Sequence, residues 1–344
     1  MQDLLTYDLN GLRALLESWG EPAYRTKQLI EWLWQRGASS YDEMSNLPAT
    51  LRERLAAEVP LRRAVVAERL VARDRIRKYL LRFSDGIAVE TVGIPGSGRA
   101  GRLTVCVSSQ AGCAMGCVFC ATGKAGLQRD LGAGEIAEQV RVVGEDFGQA
   151  ATNVVVMGQG EPFVNYDATL GALRLINSPA GFGIGARHLT ISTSGIIAGI
   201  TRLGGESEQF RLAVSLHAAT QELRDRLMPG LSGQPLEALR EALADYHAHS
   251  GRRVSLEYVL LRDVNDHESD LQALADFARA VPHAHINLLP YNDTGVAGMQ
   301  AEDAARTAEA AEFLCGAGIE TSVRRSRGSE IAAACGQLAG ASSK

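Results

Sequence analysis

The sequence predicts an α/β protein: a partial (β/α)6 TIM-type barrel with a small N-terminal helical domain and a linking β-hairpin. Three observations carry this expectation. Six short apolar runs recur between residues 103 and 291 with helical stretches between them, the alternation of a parallel sheet covered by helices. Polar motifs end nearly every run, and barrels gather their sites at the C-terminal ends of the strands. The chain before residue 58 shows helical spacing alone. An open doubly wound sheet fits the alternation as well, but the polar strand ends favour the barrel.

The elements follow in order. "NGLRALLESWG" (10–20) and "YRTKQLIEWLWQRG" (24–37) have helical periodicity and stop at Gly, and "NLPATLRERLAAE" (46–58) starts a third helix near a Pro. They form the expected helical domain, residues 1–60, an accessory domain expected to bind RNA. In 61–101, "KYLLRFSDGIAVETVGIP" sets two partly alternating runs around Ser-Asp-Gly, a hairpin signal. "PGSGRAG" (95–101) reads as a loop. The barrel region, 102–344, carries strand-like runs at 103–109, 153–158, 188–193, 211–218, 253–261 and 285–291, with "ETSVRRS" (320–326) as a candidate last strand.

With 344 residues and 46% hydrophobic content, the chain can bury a sizeable core and an appended domain. It has no long apolar run for a membrane span. Asp3 and Asp8 stand where a signal peptide would carry Lys or Arg. A soluble, cytoplasmic, monomeric protein is expected. The net charge of −5 is uneven: residues 1–100 hold 15 Lys and Arg against 13 Asp and Glu, the remainder 20 against 27. The runs "LRRAVV" (61–66) and "RDRIRKYLLR" (73–82) are solvated faces or an RNA-touching surface.

Six cysteines in a chain this long are no disulfide scaffold. Cys113, Cys117 and Cys120 follow C-x3-C-x2-C directly after the first barrel strand. Soft thiolates select iron–sulfur, zinc or copper. Three of them hold three irons of a [4Fe–4S] cluster and leave the fourth open, or hold a zinc ion with a borrowed fourth ligand. The other polar strand ends are "MGQGEP" (157–162), "STSG" (192–195), "SLHA" (215–218) and "NLLPYN" (287–292).

Together these motifs resemble the radical S-adenosylmethionine (SAM) superfamily. Within it, "GEPAYRTKQLIEWLW", "MSNLP", the cysteine motif, "EYVLL" and "EIAAACGQL" resemble the RNA methyltransferases that methylate C2 of adenosine in 23S rRNA, at the peptidyl-transferase centre, and in tRNA, 3′ of the anticodon. Gln159 departs from the Met expected before Gly-Glu-Pro, a change expected to alter packing beside SAM. Pro162 resembles the C2 enzymes rather than their C8-methylating sister family.

The resemblance implies two SAM molecules per turnover and a one-electron reductase or flavodoxin-type donor. It implies cofactor contacts from Gly160, Glu161, Ser192, Ser215, Leu216, His217 and Asn292, with Glu161 receiving the SAM amino group. C2 of adenine is electron-poor and the SAM methyl electrophilic, so a radical route replaces direct transfer. The cluster's electron then yields a 5′-deoxyadenosyl radical. Cys335 is implied to be methylated, to lose a hydrogen from that methyl and to add to C2. Glu90 is implied to take the C2 proton. Cys106 is implied to release the RNA through a transient Cys106–Cys335 disulfide. The alternatives are C8 methylation and a non-catalytic, zinc-stabilised RNA-binding protein. On residue type alone, Cys335 in its Ala-rich stretch reads as a small buried apolar residue of a helix, Cys106 as strand core and Glu90 as a surface carboxylate. Cys315 matches no motif and is left as core.

Overall fold

The computed structural model describes residues 2–96, 101–296 and 298–339. Residues 97–100 of the expected loop lie outside the described residues. The N-terminal region contains α1 (Leu9–Ser18), α2 (Tyr24–Ile30), which runs on through a π-helical turn, and α3 (Ala49–Glu58). The Asp8 carboxylate caps α1, accepting from the Gly11 N–H at 2.7 Å. Leu12, Leu16, Leu29, Leu33, Leu51 and Leu55 are buried in the same apolar core as the barrel strands.

Three antiparallel strands come next: β1 (Val65–Val71), β2 (Arg77–Arg82) and β3 (Ala88–Pro95). β2 and β3 are the expected hairpin, with Gly86 in its turn at φ +87°. β1 pairs outside them as an edge strand, in a stretch whose charges had suggested only a basic face. β3 pairs antiparallel with β4 (Leu103–Val107), so the hairpin extends the barrel sheet.

After β4, β5 (Gln110–Gly112) and β6 (Leu127–Asp130) form a two-stranded ribbon with α4 (Ala121–Ala125) between them. The repeat continues as α5 (Ala133–Phe147), β7 (Asn153–Val156), α6 (Tyr166–Asn177), β8 (Leu189–Thr193), α7 (Ile197–Gly204), β9 (Arg211–Ser215), α8 (Gln221–Leu227), α9 (Leu236–Ser250), β10 (Val254–Leu260), α10 (Glu268–Arg279), β11 (His285–Pro290), α11 (Ala304–Gly316) and β12 (Glu320–Val323). The sheet order is β1-β2-β3-β4-β7-β8-β9-β10-β11-β12, parallel from β4 to β12 and open between its edges. It is the predicted partial barrel, and the candidate strand at 320–326 completes it.

Alternation along the strands decides what lies inside. Leu103, Val105 and Val107 of β4 are fully buried in the apolar core, while Thr104 and Cys106 line the lumen. In β8 the division is Leu189 and Ile191 against Thr190 and Ser192, and in β9 Leu212 and Val214 against Arg211 and Ser215. A closed barrel fills its interior with branched apolar side chains. This polar lining instead leaves a cavity of about 820 Å³.

The helical region is fixed to the barrel at α5. Gly134 admits the Leu5 backbone, since a Cβ there would lie 2.6 Å from the Leu5 carbonyl oxygen. Arg63 pairs with the buried Glu138 at 2.7 Å and donates to the carbonyls of Leu33 and Ala38, so neither buried charge lacks partners. Among the described residues no helix is long and apolar enough to cross a membrane.

Candidate active site

The loop carrying Cys113, Cys117 and Cys120 is held from both sides. Gly112 sits at φ +77°, and a Cβ there would fall 1.9 Å from the Gly126 carbonyl oxygen, so only glycine lets β5 close on the chain before β6. The Cys113 N–H donates to that carbonyl at 3.0 Å, and the Cys120 N–H to the Cys117 carbonyl at 3.1 Å. From the other side Gly230 donates to the Met115 carbonyl at 2.9 Å, and Val118 to that of Leu227 at 3.0 Å. All three cysteines line the cavity.

Burial raises the Cys113 thiol to about 11. Burial, then the neighbouring Cys120 and Cys113, raises Cys117 as well. A bound cation offsets that cost of ionisation. Among the described residues no three metal-ligating side chains converge about one point to hold a single ion. Three separate soft donors fit an iron–sulfur cluster, in which each thiolate takes its own iron, better than one zinc ion.

The strand-end motifs surround this loop. Gly160 is at φ +101°, and a Cβ would lie 2.6 Å from the Gln110 Cβ. The buried Glu161 accepts from Thr193 Oγ1 at 2.7 Å, Ser194 N–H at 2.6 Å and Phe163 N–H at 3.0 Å. A carboxylate has about four acceptor positions, so most of Glu161's capacity ties its own loop to "STSG". Burial raises its pKa, against these donors. Ser192, Ser215, His217 and Asn292 line the cavity.

His217 adopts φ +56°. Its Nδ1 accepts from the Val259 N–H at 3.1 Å, which leaves the ring hydrogen on Nε2. Phe119 of the cysteine loop stands edge-on to the ring, centroids 4.8 Å apart. Burial, then the Arg224 guanidinium, lowers the imidazole to about 3, so it stays neutral. Leu216, between the cavity-lining Ser215 and His217, does not itself line the cavity. Its side chain is core, its N–H donates to the Glu257 carbonyl, and its own carbonyl accepts from Arg224.

The two outer cysteines meet in the same cavity. Cys106 is buried on β4, and burial, then Cys335, pushes its thiol up to about 12. Cys335 lies in irregular chain rather than the expected helix. Its side chain is accessible, yet deep enough for burial to raise its thiol, because its free surface is cavity wall. Asn292 Nδ2 donates to the Cys335 carbonyl at 3.2 Å, and Ala121 N–H to that of Gly336 at 2.8 Å.

Glu90, on β3, is not a surface carboxylate. It is buried and pairs with Lys78 Nζ at 2.7 Å, and that ammonium also donates to the Ala332 carbonyl at 3.2 Å. Glu90 lies outside the cavity wall, linked to the Cys335 segment through Lys78. Gln159 does more than adjust packing. Its Oε1 accepts from the Glu90 N–H at 3.2 Å, its N–H donates to Ser108 Oγ at 2.9 Å, and Ser108 Oγ donates to the Glu90 carbonyl at 2.6 Å. Cys315 is exposed, not core.

Three further residues escaped the sequence reading. Arg324 is close enough to offset part of the burial that raises both outer thiols. Glu257, inside "EYVLL", faces the lumen and accepts from Ser255 and Asn287 at 2.8 Å. Arg224 is buried and donates at 2.6 Å to the carbonyls of Ser194 and Leu216, bracing two of the strand-end loops. An Arg in an otherwise charged helix reads as solvated, so nothing short of the tertiary structure marks it.

Comparison with known proteins agrees with this geometry. Residues 107–278 match the family model of the radical SAM superfamily, and residues 2–60 that of the ribosomal RNA large subunit methyltransferase N-terminal domain. A probable dual-specificity RNA methyltransferase RlmN of Gemmatimonas aurantiaca is 44% identical over 343 residues, covering 98% of this chain and 93% of the relative. That of Gloeobacter violaceus is 46% identical over 335 residues, covering 97% and 94%. The crystal structure of a radical SAM methyltransferase from Sphaerobacter thermophilus superposes with a TM-score of 0.90 at 41% identity, covering 98% of this chain and 99% of that one.

Proposed function

This chain belongs to the dual-specificity RNA methyltransferases of the radical SAM superfamily, and from that premise we propose that it methylates C2 of an adenosine in 23S rRNA and in tRNA. Membership removes the non-catalytic zinc alternative: the chain is a radical SAM RNA methyltransferase, and SAM and a [4Fe–4S] cluster are its cofactors. The observation that carries the finer reading is the meeting of Cys106 and Cys335 in the cavity lined by Cys113, Cys117 and Cys120.

Cys113, Cys117 and Cys120 would hold the cluster, and Gly160, Glu161, Ser192, Ser215, His217 and Asn292 the SAM beside it. When bound, these groups supply one electron, from a reductase or flavodoxin-type donor, and the radical that abstracts a hydrogen. The chain's own residues do the rest. The Cys335 sulfur accepts a methyl from a first SAM and carries its carbon to C2. Glu90 would take the C2 proton while the one electron left over from the radical addition returns to the bound redox group, and Lys78 links that carboxylate to the segment that bears Cys335. The Cys106 sulfur then attacks the Cys335 sulfur: the S–S bond forms, the S–CH2 bond breaks, and the carbon takes a proton to leave a methyl on the base. His217, neutral and packed edge-on against Phe119, holds its Nε2–H at the cavity wall beside the cysteine loop.

The test is anaerobic reconstitution, treatment of 23S rRNA and tRNA, and mass analysis of the nucleosides. 2-Methyladenosine in both RNAs is the expected result. 8-Methyladenosine, or no methylated adenosine, overturns the assignment.

A further inference from the structure

The lumen carries an excess of arginines, three of them at the end where the strands begin, that the methyl-transfer chemistry does not use. The chain is acidic overall, at −5, yet its cavity is lined by six arginines against two glutamates. Both glutamates are already engaged: Glu161 by Thr193, Ser194 and Phe163, Glu257 by Ser255 and Asn287. Three of the arginines stand where neighbouring strands begin. Arg102 precedes β4, Arg187 precedes β8, and Arg211 opens β9. All three are exposed, and among the described residues none of them enters an ion pair. Asn153 and His188, bonded to each other at 3.1 Å, fill the rim between Arg102 and Arg211.

We propose that Arg102, Arg187 and Arg211 form a phosphate-binding rim that seats the RNA backbone, so that the target strand approaches from the end of the barrel where the strands begin. The proposal rests on the chain being an RNA methyltransferase and adds the face and the residues. Unpaired guanidiniums along an arc of neighbouring strand ends are geometric matches for phosphodiester oxygens. A base extruded from its stack at this rim points up the lumen, towards Cys106 in the same strand as Arg102. The opposite face, where the loop of Cys113, Cys117 and Cys120 lies, is left to the electron donor. An acidic donor protein on the arginine rim would be separated from that loop by the length of a strand, about 15 Å.

The experiment uses the cluster-loaded full chain and a short fluorescein-labelled RNA stem-loop with an unpaired loop adenosine. Affinity is measured by anisotropy across a salt series for the parent, for Arg102→Gln/Arg187→Gln/Arg211→Gln, and for the corresponding triple Lys variant. Iron content and melting temperature matching the parent establish that each variant is folded. The expected result is weaker binding by the Gln variant, equal for stem-loops of different sequence, with a slope of log affinity against log salt shallower by about 2. The Lys variant should retain the parent slope. An unchanged affinity and slope in the folded Gln variant overturns the rim. So does unchanged RNA binding with slower donor-driven cluster reduction, which would assign the rim to the donor. Parent protein that does not bind the probe overturns the underlying RNA reading instead, and the two failures are distinct.

Discussion

Two irregular segments meet at the lumen, and they are held in different ways. The loop of Cys113, Cys117 and Cys120 is locked by backbone: Gly112 closes on Gly126, Met115 is met by Gly230, and the β5–β6 ribbon brackets the whole. The segment bearing Cys335 has no strand pairing; it is held by bonds from Asn292, Ala121, Thr122 and Lys78, by Gln337 to the Asp293 carbonyl, and by the buried Leu338 side chain. Its one short helical turn, Ser329–Ile331, is followed by Ala332 at φ +50°. A group that must stay put is built on interlocked backbone. In the proposed mechanism, the sulfur that visits a methyl donor, a base and Cys106 in turn is carried on a tether.

Breaking the fixed side has the largest effect. Cys117→Ala should lose iron and abolish SAM cleavage while the fold persists, read by iron content and by the release of methionine. Four irons with activity retained would remove the cysteine loop from its place in the account.

The next effect concerns acid. His217, against Phe119 of the fixed loop, is lowered to about 3, whereas an unfolded histidine titrates near 6.5. Between those values the unfolded chain binds a proton that the folded chain refuses, so stability falls as pH drops from about 6.5 towards 3 and is unaffected by this group above that window. Urea unfolding at a series of pH values should show a loss of a few kcal/mol, reduced in His217→Gln. Equal slopes in both proteins would contradict a neutral, buried imidazole.

A smaller effect is expected on the Glu90 side of the tether. Gln159→Met restores the residue the family pattern led one to expect, but strips the buried Glu90 N–H of its acceptor. A loss of about 1–3 kcal/mol follows, measured by denaturant unfolding. A neutral or stabilising result would show that Glu90 is fixed by other contacts. The smallest effect belongs to Asn292→Ala, which removes one bond to the tether and should cost about 1 kcal/mol or less. Its single-turnover rate should fall by more than that lost bond accounts for, because Asn292 also stands among the proposed SAM contacts.

The same contrast separates what the sequence reveals from what it hides. The barrel strands are legible because Leu103, Val105 and Val107 alternate with Thr104 and Cys106, and that period-2 pattern marks core and lumen faces together. The locked loop is legible in part: cysteine spacing is local, but the role of Gly112 appears only when Gly126 is seen against it. β1 is hidden because its Glu and Arg mask a strand that sits at a sheet edge. β5 is hidden because three residues ending in Gly carry no periodic signal. Cys335 is misjudged as helical because Ala-Ala-Ala favours helix, while tertiary tethers hold it otherwise. Lys78 and Gln159, the partners of Glu90, come from other strands and loops, and no local pattern announces such pairs.

The central claim, that a tethered Cys335 carries the methyl and a fixed Cys106 releases the product, is tested most directly by one denaturing gel. Cluster-loaded Cys106→Ala and Cys335→Ala proteins are each incubated with target RNA, SAM and reductant. Cys106→Ala should accumulate a covalent protein–RNA band that survives denaturation, since its Cys335 still bonds to the base and nothing displaces it. Cys335→Ala should give neither band nor methylated RNA. A band in neither protein, or in Cys335→Ala alone, would contradict the account.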